Sequence, residues 1–437
     1  MLKKIAVYLF SYDGVMTWCC GVGTMTRHFI YSMPVVADLL RSQGVELVFS
    51  VGSPFLVEAC PIYRADLLAR TQKICQDLSG KLLFHWNGTD GTTQYINLEQ
   101  WQASCFGAAS IILNEFQTHG TNIIFTTDTV YCGVSSAVLQ QLSHYQGQKP
   151  TLVWMPHATG LIHEAKPDRN RFAWESQPIL DAKNYAECFV TYINNFMKNH
   201  LIQGYGAAPN RLIPLFNGLP LFEELVTPDP LAIREKYGLP QEREFILATG
   251  RAETYKGFLY LVRAFAQSQT HHEAELVLIL SLMTLGGEAT YREIRKEFEA
   301  LKVRGQIICN FIPQEELRAI FRLPNLKSVV VPSLKEPFGL IPIELRYWCN
   351  EQAPVLICSN VGGLTELITH DRDGFLVDVK NTAEFAGILT KAIQLSPQEK
   401  QAFLHRGKQE LAQKWNLPNN IASAILQICD RHQPAYP

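Results

Sequence analysis

At 437 residues, 47% hydrophobic and 18% charged, the chain has the composition of a well-packed soluble protein. It is too long for one ordinary core, so two domains of about 200 residues are expected. A net charge of −2 argues against nucleic acid as the partner, and no apolar run approaches the roughly 20 residues of a membrane span. Eleven cysteines, with an adjacent pair at Cys19 and Cys20 but no C-x-x-C, argue against a disulfide framework or a zinc site and for reduced thiols in the cytoplasm.

The opening "MLKKIAVYLFSYDG" has two lysines and a short apolar run. It lacks a small-residue cleavage site and ends in polar turn residues, so it reads as a first β-strand and not as a signal peptide. Apolar β-type runs then alternate with helix-length segments: "KIAVYLF", "VELVFSVG", "KLLFHW", "NIIFTTD", "TLVWMPH" and "CFVTYI" in the first half. The second half offers "EFILATG", "ELVLILS", "QIICNFI", "SVVVPS" and "PVLICS". Such runs predict buried parallel strands, and the two series predict an α/β protein with two doubly wound sheets. A proline-rich stretch with no strand pattern, at about 215–240, is the expected linker. The tail reads as one more helix, broken at Pro418. "NGT" at Asn87 is a chance match to a glycosylation acceptor.

Ligands of doubly wound sheets bind at the carboxyl ends of strands, so the residues following each strand carry the interest. After the first strand, Gly21 and Gly23 precede a helix expected to begin near Thr24, where a backbone could approach an anion. The plainer alternative is a glycine-rich connector, and the third glycine of a dinucleotide fingerprint is missing. Asp128 ends "NIIFTTD" and His157 follows "TLVWMP", each placed to meet a substrate, although a lone histidine is more often structural. In "ILATGRAETYKGF", Arg251 and Lys256 fall between a strand and a helix start, a spacing suited to clamping a diphosphate. The alternative is two solvated surface charges.

"SLKEPFGLIPIE" holds Glu336 and Glu344 around a stiff spacer. Pro337 biases Glu336 towards a loop, Gly339 favours a turn, and Pro342 suits the first turn of a new helix bearing Glu344. The amides of Phe338, Gly339 and Leu340 would then lie at a helix N-terminus, ready for phosphate. In "SNVGGLTELI", Gly362 and Gly363 allow close backbone approach before another helix. "DRDG" at Asp371 reads as a polar turn and not as a metal pair.

Together, "GRAETYKG", "PSLKEPFGLIPIE" and "NVGGLTELI…DGFLV" resemble the GT-B glycosyltransferases, and within them the retaining family 4, or group 1, type. The resemblance runs from about Phe245 to Val379; the first half shares only the glycine loop and His157. It implies two Rossmann-like domains facing across a cleft: 1–215 for the acceptor, 216–415 for the donor, and a last helix, 416–437, crossing back to the first. It implies metal-independent, hexosyl-type transfer with no permanently bound cofactor, a nucleotide-diphosphate sugar serving as co-substrate. Arg251 and Lys256 would neutralise the diphosphate, Glu336 would accept from sugar hydroxyls, and Glu344 would hold the ribose. Cys309 to Ile312 would lie by the base, His157 near the transferred sugar, and closure would exclude water.

The donor base is open among UDP, GDP, ADP and TDP, and the acceptor among glycans, lipids, small metabolites and natural products. Peripheral membrane contact is also open, and the oligomeric state is not readable. The aromatic and polar loops "HWNGTDGTTQYINLEQW" and "GLIHEAKPDRNRFAW" suit a sugar or aglycone without choosing one. Rival readings are a nucleotide-sugar epimerase or phosphorylase on the same architecture, a Rossmann oxidoreductase, and a non-catalytic nucleotide-sugar binder.

Overall fold

The computed structural model describes all residues except 1, 18–19, 61, 92–96, 117–119, 165–167, 222–225, 283–285, 350–352 and 432–437. Cys19, parts of both aromatic loops (92–96 and 165–167) and part of the expected linker (222–225) therefore lie outside the described residues.

The chain divides into two units, Met1–Pro220 with Trp415–Pro437, and Leu221–Lys414. The first holds seven described strands: β1 (Lys3–Phe10), β2 (Val45–Pro54), β3 (Leu82–His85), β4 (Thr121–Thr127), β5 (Thr151–Met155), β6 (Cys188–Tyr192) and β7 (Leu212–Pro214). They pair in the order β3-β2-β1-β4-β5-β6-β7. The second holds β8 (Glu244–Arg251), β9 (Ala274–Ser281), β10 (Gly305–Cys309), β11 (Leu326–Val331), β12 (Val355–Ser359) and β13 (Phe375–Val377), in the order β10-β9-β8-β11-β12-β13. Every pairing between these strands is parallel.

Parallel strands covered on both faces need continuous apolar runs. Ile5 to Phe10 of β1, all of β5 and Phe245 to Ala248 of β8 are buried. Each fully buried Leu, Ile or Val contributes about 1.5–3 kcal/mol. Helices are started by short polar residues whose side chains accept a first-turn N–H, among them Asn97, Asp168, Asn194, Asp229 and Asn381.

Three expectations are corrected. β7 lies at the edge of the region that showed no strand pattern; it is only three residues long and ends in Pro214, too short to register as a run. The helix after β1 begins at Gly21, so both glycines are inside its first turn and not ahead of it. The tail is interrupted just before Pro418 and not at it: helix Pro397–Lys414 ends, and Pro418 is the second residue of the next helix, Leu417–Arg431, where its missing N–H costs nothing.

That helix packs on helix Gly21–Ser42 and on β7. The segment leading out of the first unit pairs with the segment returning to it. The Leu219 N–H donates to the Trp415 carbonyl at 3.0 Å, the Leu417 N–H to the Leu219 carbonyl at 3.2 Å, and Asn420 Nδ2 to the Phe216 carbonyl at 2.9 Å. No helix among the described residues is long and apolar enough to cross a membrane.

Candidate functional site

In an open doubly wound sheet the crevice lies where the strand order reverses. In the second unit that point is between β8 and β11. Arg251 ends β8, and Lys256 follows in a single 3-10 turn, Thr254–Lys256. Gly257 then takes φ +72° and opens helix Phe258–Gln267. A Cβ at Gly257 would run into the Pro332 carbonyl oxygen just after β11, so the two strand ends approach as closely as glycine allows. The Leu334 N–H donates to the Tyr255 carbonyl at 2.7 Å and fastens the two loops together.

These contacts deliver Lys256 to Glu336. Lys256 Nζ lies 2.6 Å from Glu336 Oε2, with both side chains partly exposed, and Ser333 Oγ donates to the same oxygen at 3.2 Å. The Glu336 carbonyl accepts the Gly363 N–H at 2.9 Å. Gly362 has φ +54°, and a Cβ there would strike that same carbonyl oxygen. The paired glycines thus hold the loop that carries Glu336. Arg251 pairs with Glu253 at 2.8 Å and donates to Tyr255 Oη. Burial raises the Tyr255 phenol pKa, so the group stays protonated at neutral pH.

Gly339, at φ +94°, precedes helix Leu340–Trp348, whose start has no side-chain cap. Phe338 turns its ring into the core and Leu340 opens the helix. Glu344 is buried, and its Oε1 accepts from Gln314 Nε2 at 2.6 Å. Gln314 opens helix Gln314–Phe321, two residues after Ile312. Thus Lys256 and Glu336 meet at the crevice of the second unit, Arg251 stands at the end of β8 against Glu253 and Tyr255, and Glu344 is tied to the segment following Ile312. Gln314 was not foreseen; no local pattern in the sequence links it to a carboxylate on another helix. Asp371, at φ +59°, pairs with Lys391, whereas Asp373 is buried against Arg346 at 3.0 Å, so the two aspartates serve different partners.

In the first unit the order reverses between β1 and β4. Here the start of helix Gly21–Ser42 meets the buried carboxylate of Asp13. Asp13 accepts from the N–H groups of Gly14 (2.9 Å) and Cys20 (3.0 Å) and from Thr17 Oγ1 (2.8 Å). A Cβ on Gly23 would collide with that carboxylate. Gly23 therefore makes room for the chain's own anion, while a Cβ on Gly21 would meet nothing.

Asp128 follows β4 with φ +54° and ψ −164°, an unusual conformation for a residue with a side chain. Its Oδ1 accepts the N–H groups of His157 (2.8 Å) and Ala158 (3.3 Å). Burial raises its carboxyl pKa to about 7, partly offset by those two hydrogen bonds. His157 is buried, and burial lowers its pKa to about 4, leaving a neutral imidazole at neutral pH. Its Nδ1 has no hydrogen-bond partner among the described residues. Sequence reading missed Glu175. This fully buried carboxylate accepts from Thr129 Oγ1 (2.8 Å), the Gly160 N–H (2.9 Å), Arg171 Nε (3.0 Å) and Tyr205 Oη (2.7 Å). Beyond Arg171, one turn earlier on its own helix, its partners come from three other stretches of chain, which no local pattern reveals.

Residues 230–409 match the family model described as glycosyl transferases group 1. A glycosyltransferase of Methanocaldococcus jannaschii is 27% identical over 46% of this chain and 50% of its own. A D-inositol 3-phosphate glycosyltransferase of Xylanimonas cellulosilytica is 30% identical over 52% of this chain and 53% of its own. The chain thus spans about half the length of these curated relatives. Among solved structures, sucrose-phosphate synthase from Thermosynechococcus elongatus superposes with a TM-score of 0.69 at 18% identity, over 98% of each chain. Anabaena HepE in complex with UDP and glucose superposes with a TM-score of 0.68 at 15% identity, over 97% of this chain and 99% of its own. These likenesses show the fold to be GT-B.

Proposed function

From the match of residues 230–409 to the group 1 glycosyl transferases and the GT-B fold, we propose that this protein is a retaining glycosyltransferase. It moves a sugar, of hexosyl type, from a nucleotide-diphosphate donor to a hydroxyl acceptor. The observation that carries the reading is the Lys256–Glu336 pair at the β8/β11 crevice, 2.6 Å apart, with Arg251 at the end of β8. A cation and a carboxylate in one crevice suit a ligand with an anionic end and a hydroxylated end.

The second unit takes the donor. Lys256 leaves Glu336 for the diphosphate, and Arg251 adds a forked cation. The uncapped start of helix Leu340–Trp348 offers its amides to phosphate oxygens. Glu336, released from Lys256, accepts from sugar hydroxyls, and Glu344, held by Gln314, accepts from the ribose. As the bond from the sugar's anomeric carbon to the diphosphate oxygen breaks, positive charge grows on the ring and negative charge on the leaving group. Preorganised cations stabilise that charge most effectively, and they supply what a metal would otherwise provide, so transfer is metal-independent. The acceptor oxygen bonds to the anomeric carbon on the vacated face, and its proton passes to the leaving phosphate oxygen. In the first unit, His157 contacts the substrate as a neutral imidazole.

UDP is the first nucleotide to assay, because the HepE neighbour is described in complex with it. Relatives named for inositol 3-phosphate transfer and a neighbour named for sucrose phosphate put sugars and polyols first among the acceptors to assay. The test is thermal unfolding against UDP-, GDP-, ADP- and TDP-sugars, with NAD(H) as control, in EDTA and then in magnesium. A ligand at 100 times its Kd stabilises by about 2.7 kcal/mol. Stabilisation by one nucleotide sugar in EDTA, followed by NMR of the product's anomeric proton, tests donor, metal independence and retention. A response to NAD(H) alone overturns the reading.

A further inference from the structure

Two buried carboxylates hold the backbone of one short loop after β5. Asp128 Oδ1 takes the N–H groups of His157 and Ala158, and Glu175 takes that of Gly160. Thr159 Oγ1 is hydrogen-bonded to His200 Nε2 at 2.8 Å. Every residue from His157 to Gly160 is thus held through an amide or a hydroxyl.

The arrangement at Asp128 is costly. A side-chain-bearing residue at φ +54° carries about 1–3 kcal/mol of strain, which persists only where its surroundings fix it. They do so here: the Asp128 N–H donates to the Met155 carbonyl at 3.1 Å, and its own carbonyl accepts from Trp154 Nε1 at 2.9 Å. The carboxylate is buried with backbone amides, not a cation, as its hydrogen-bond donors. Meanwhile the His157 ring has no partner at Nδ1 among the described residues. No side-chain hydrogen bond to Nδ1 aims the ring, so its aim follows from its backbone.

We propose that Asp128 is a positioning residue: its carboxyl oxygen, acting as a hydrogen-bond acceptor, sets the backbone at His157 and thereby aims the imidazole at the substrate. This rests on the reading of His157 as a substrate-contacting residue. It assigns Asp128 no proton transfer and no acceptor contact. The loop needs an oxygen at that point and not a charge, so asparagine, which has the same shape and keeps an acceptor oxygen, replaces aspartate here.

The experiment compares Asp128→Asn, Asp128→Gly and His157→Ala in the full chain, measuring kcat, donor KM, thermal midpoint and amide hydrogen exchange of the segment containing His157 and Ala158. Glycine suits the strained backbone, so Asp128→Gly folds while lacking the acceptor oxygen. The expected result for Asp128→Gly is a kcat lower by roughly 10- to 100-fold at unchanged donor KM, as for a displaced catalytic group. The two amides should exchange faster in that variant, because their hydrogen bonds are gone. Asp128→Asn should keep the slow exchange and most of the turnover. Equal loss in Asp128→Asn and Asp128→Gly overturns the proposal in favour of a role for the charge itself. Unchanged exchange in Asp128→Gly overturns it outright. Full turnover in His157→Ala defeats the reading of His157, while the exchange data still decide what Asp128 holds.

Discussion

Lys256 Nζ sits 2.6 Å from Glu336 Oε2, and 79 residues of chain separate these partners, which meet because Gly257 lets one strand end close upon another. A partly exposed ion pair of this kind contributes about 0–1 kcal/mol to stability, so its presence is explained better by the site than by the fold. Lys256→Ala should therefore lower turnover by about two orders of magnitude or more while moving the unfolding free energy by less than about 1 kcal/mol. Steady-state kinetics beside urea unfolding checks both, and unchanged turnover removes Lys256 from the diphosphate site.

Glu344 predicts a different kinetic signature. Held by Gln314 and not part of the Lys256–Glu336 pair, it is assigned to ground-state binding of the ribose. Glu344→Ala should raise donor KM about tenfold and leave kcat nearly unchanged, the mark of uniform binding lost. A fall in kcat alone would reassign it to the chemistry.

Gly257 tests the approach of the two strand ends. Gly257→Ala adds a Cβ at φ +72° against the Pro332 carbonyl. The expected cost is about 1–3 kcal/mol, from backbone strain and displacement of the β11 loop. Donor binding should weaken with it, because the displaced loop carries Ser333 and Glu336. A variant as stable as the parent would mean that the loop yields freely.

Buried titratable groups in the first unit set a pH dependence. Burial lowers His28 to about 3, aided by Arg27, and lowers His85 and His157 to about 4, all from 6.5. Between about pH 4 and 6.5 the unfolded chain binds protons at these three sites that the folded chain does not, so they make stability rise with pH. Asp128 opposes them: its carboxyl, raised from 3.8 to about 7, holds a proton in the folded state that the unfolded chain has released. Burial also lowers His200 and raises Asp181, one group on each side, so four sites against two leave a rising curve, at about 1.4 kcal/mol per net proton per pH unit. Urea midpoints should climb from pH 4.5 to 6.5, His85→Gln should flatten the climb, and Asp128→Asn should steepen it. A flat wild-type profile would show that these groups are not buried in solution.

Much of this protein was legible in its sequence because parallel sheets buried on both faces write themselves as apolar runs. β1 and β9 are such runs. Lys256, Glu336 and Glu344 stood out because proline and glycine punctuate the loops around them. β7 escaped for the opposite reason, being a three-residue edge strand ending in proline. Gly23 was visible as a close-approach glycine, but what approaches it, Asp13, lies across a turn whose path is a tertiary matter. Glu175 was invisible: a glutamate within a helix looks solvated until Thr129, Gly160, Arg171 and Tyr205 are brought around it.

The pairing of Leu219 with Trp415 bears on how the protein is made. The second unit is contiguous in the chain, from Leu221 to Lys414, whereas the first is interrupted by it. On the ribosome the first sheet emerges early, yet the helix that covers helix Gly21–Ser42 is synthesised only after the whole of the second unit. The usual amino-to-carboxyl order of domain completion is thereby reversed. The second unit has its whole sequence first, and the nascent first unit waits with the apolar face of helix Gly21–Ser42 uncovered until Leu417–Arg431 has emerged. A truncation before Leu417 leaves that face bare, a target for chaperones in the cell.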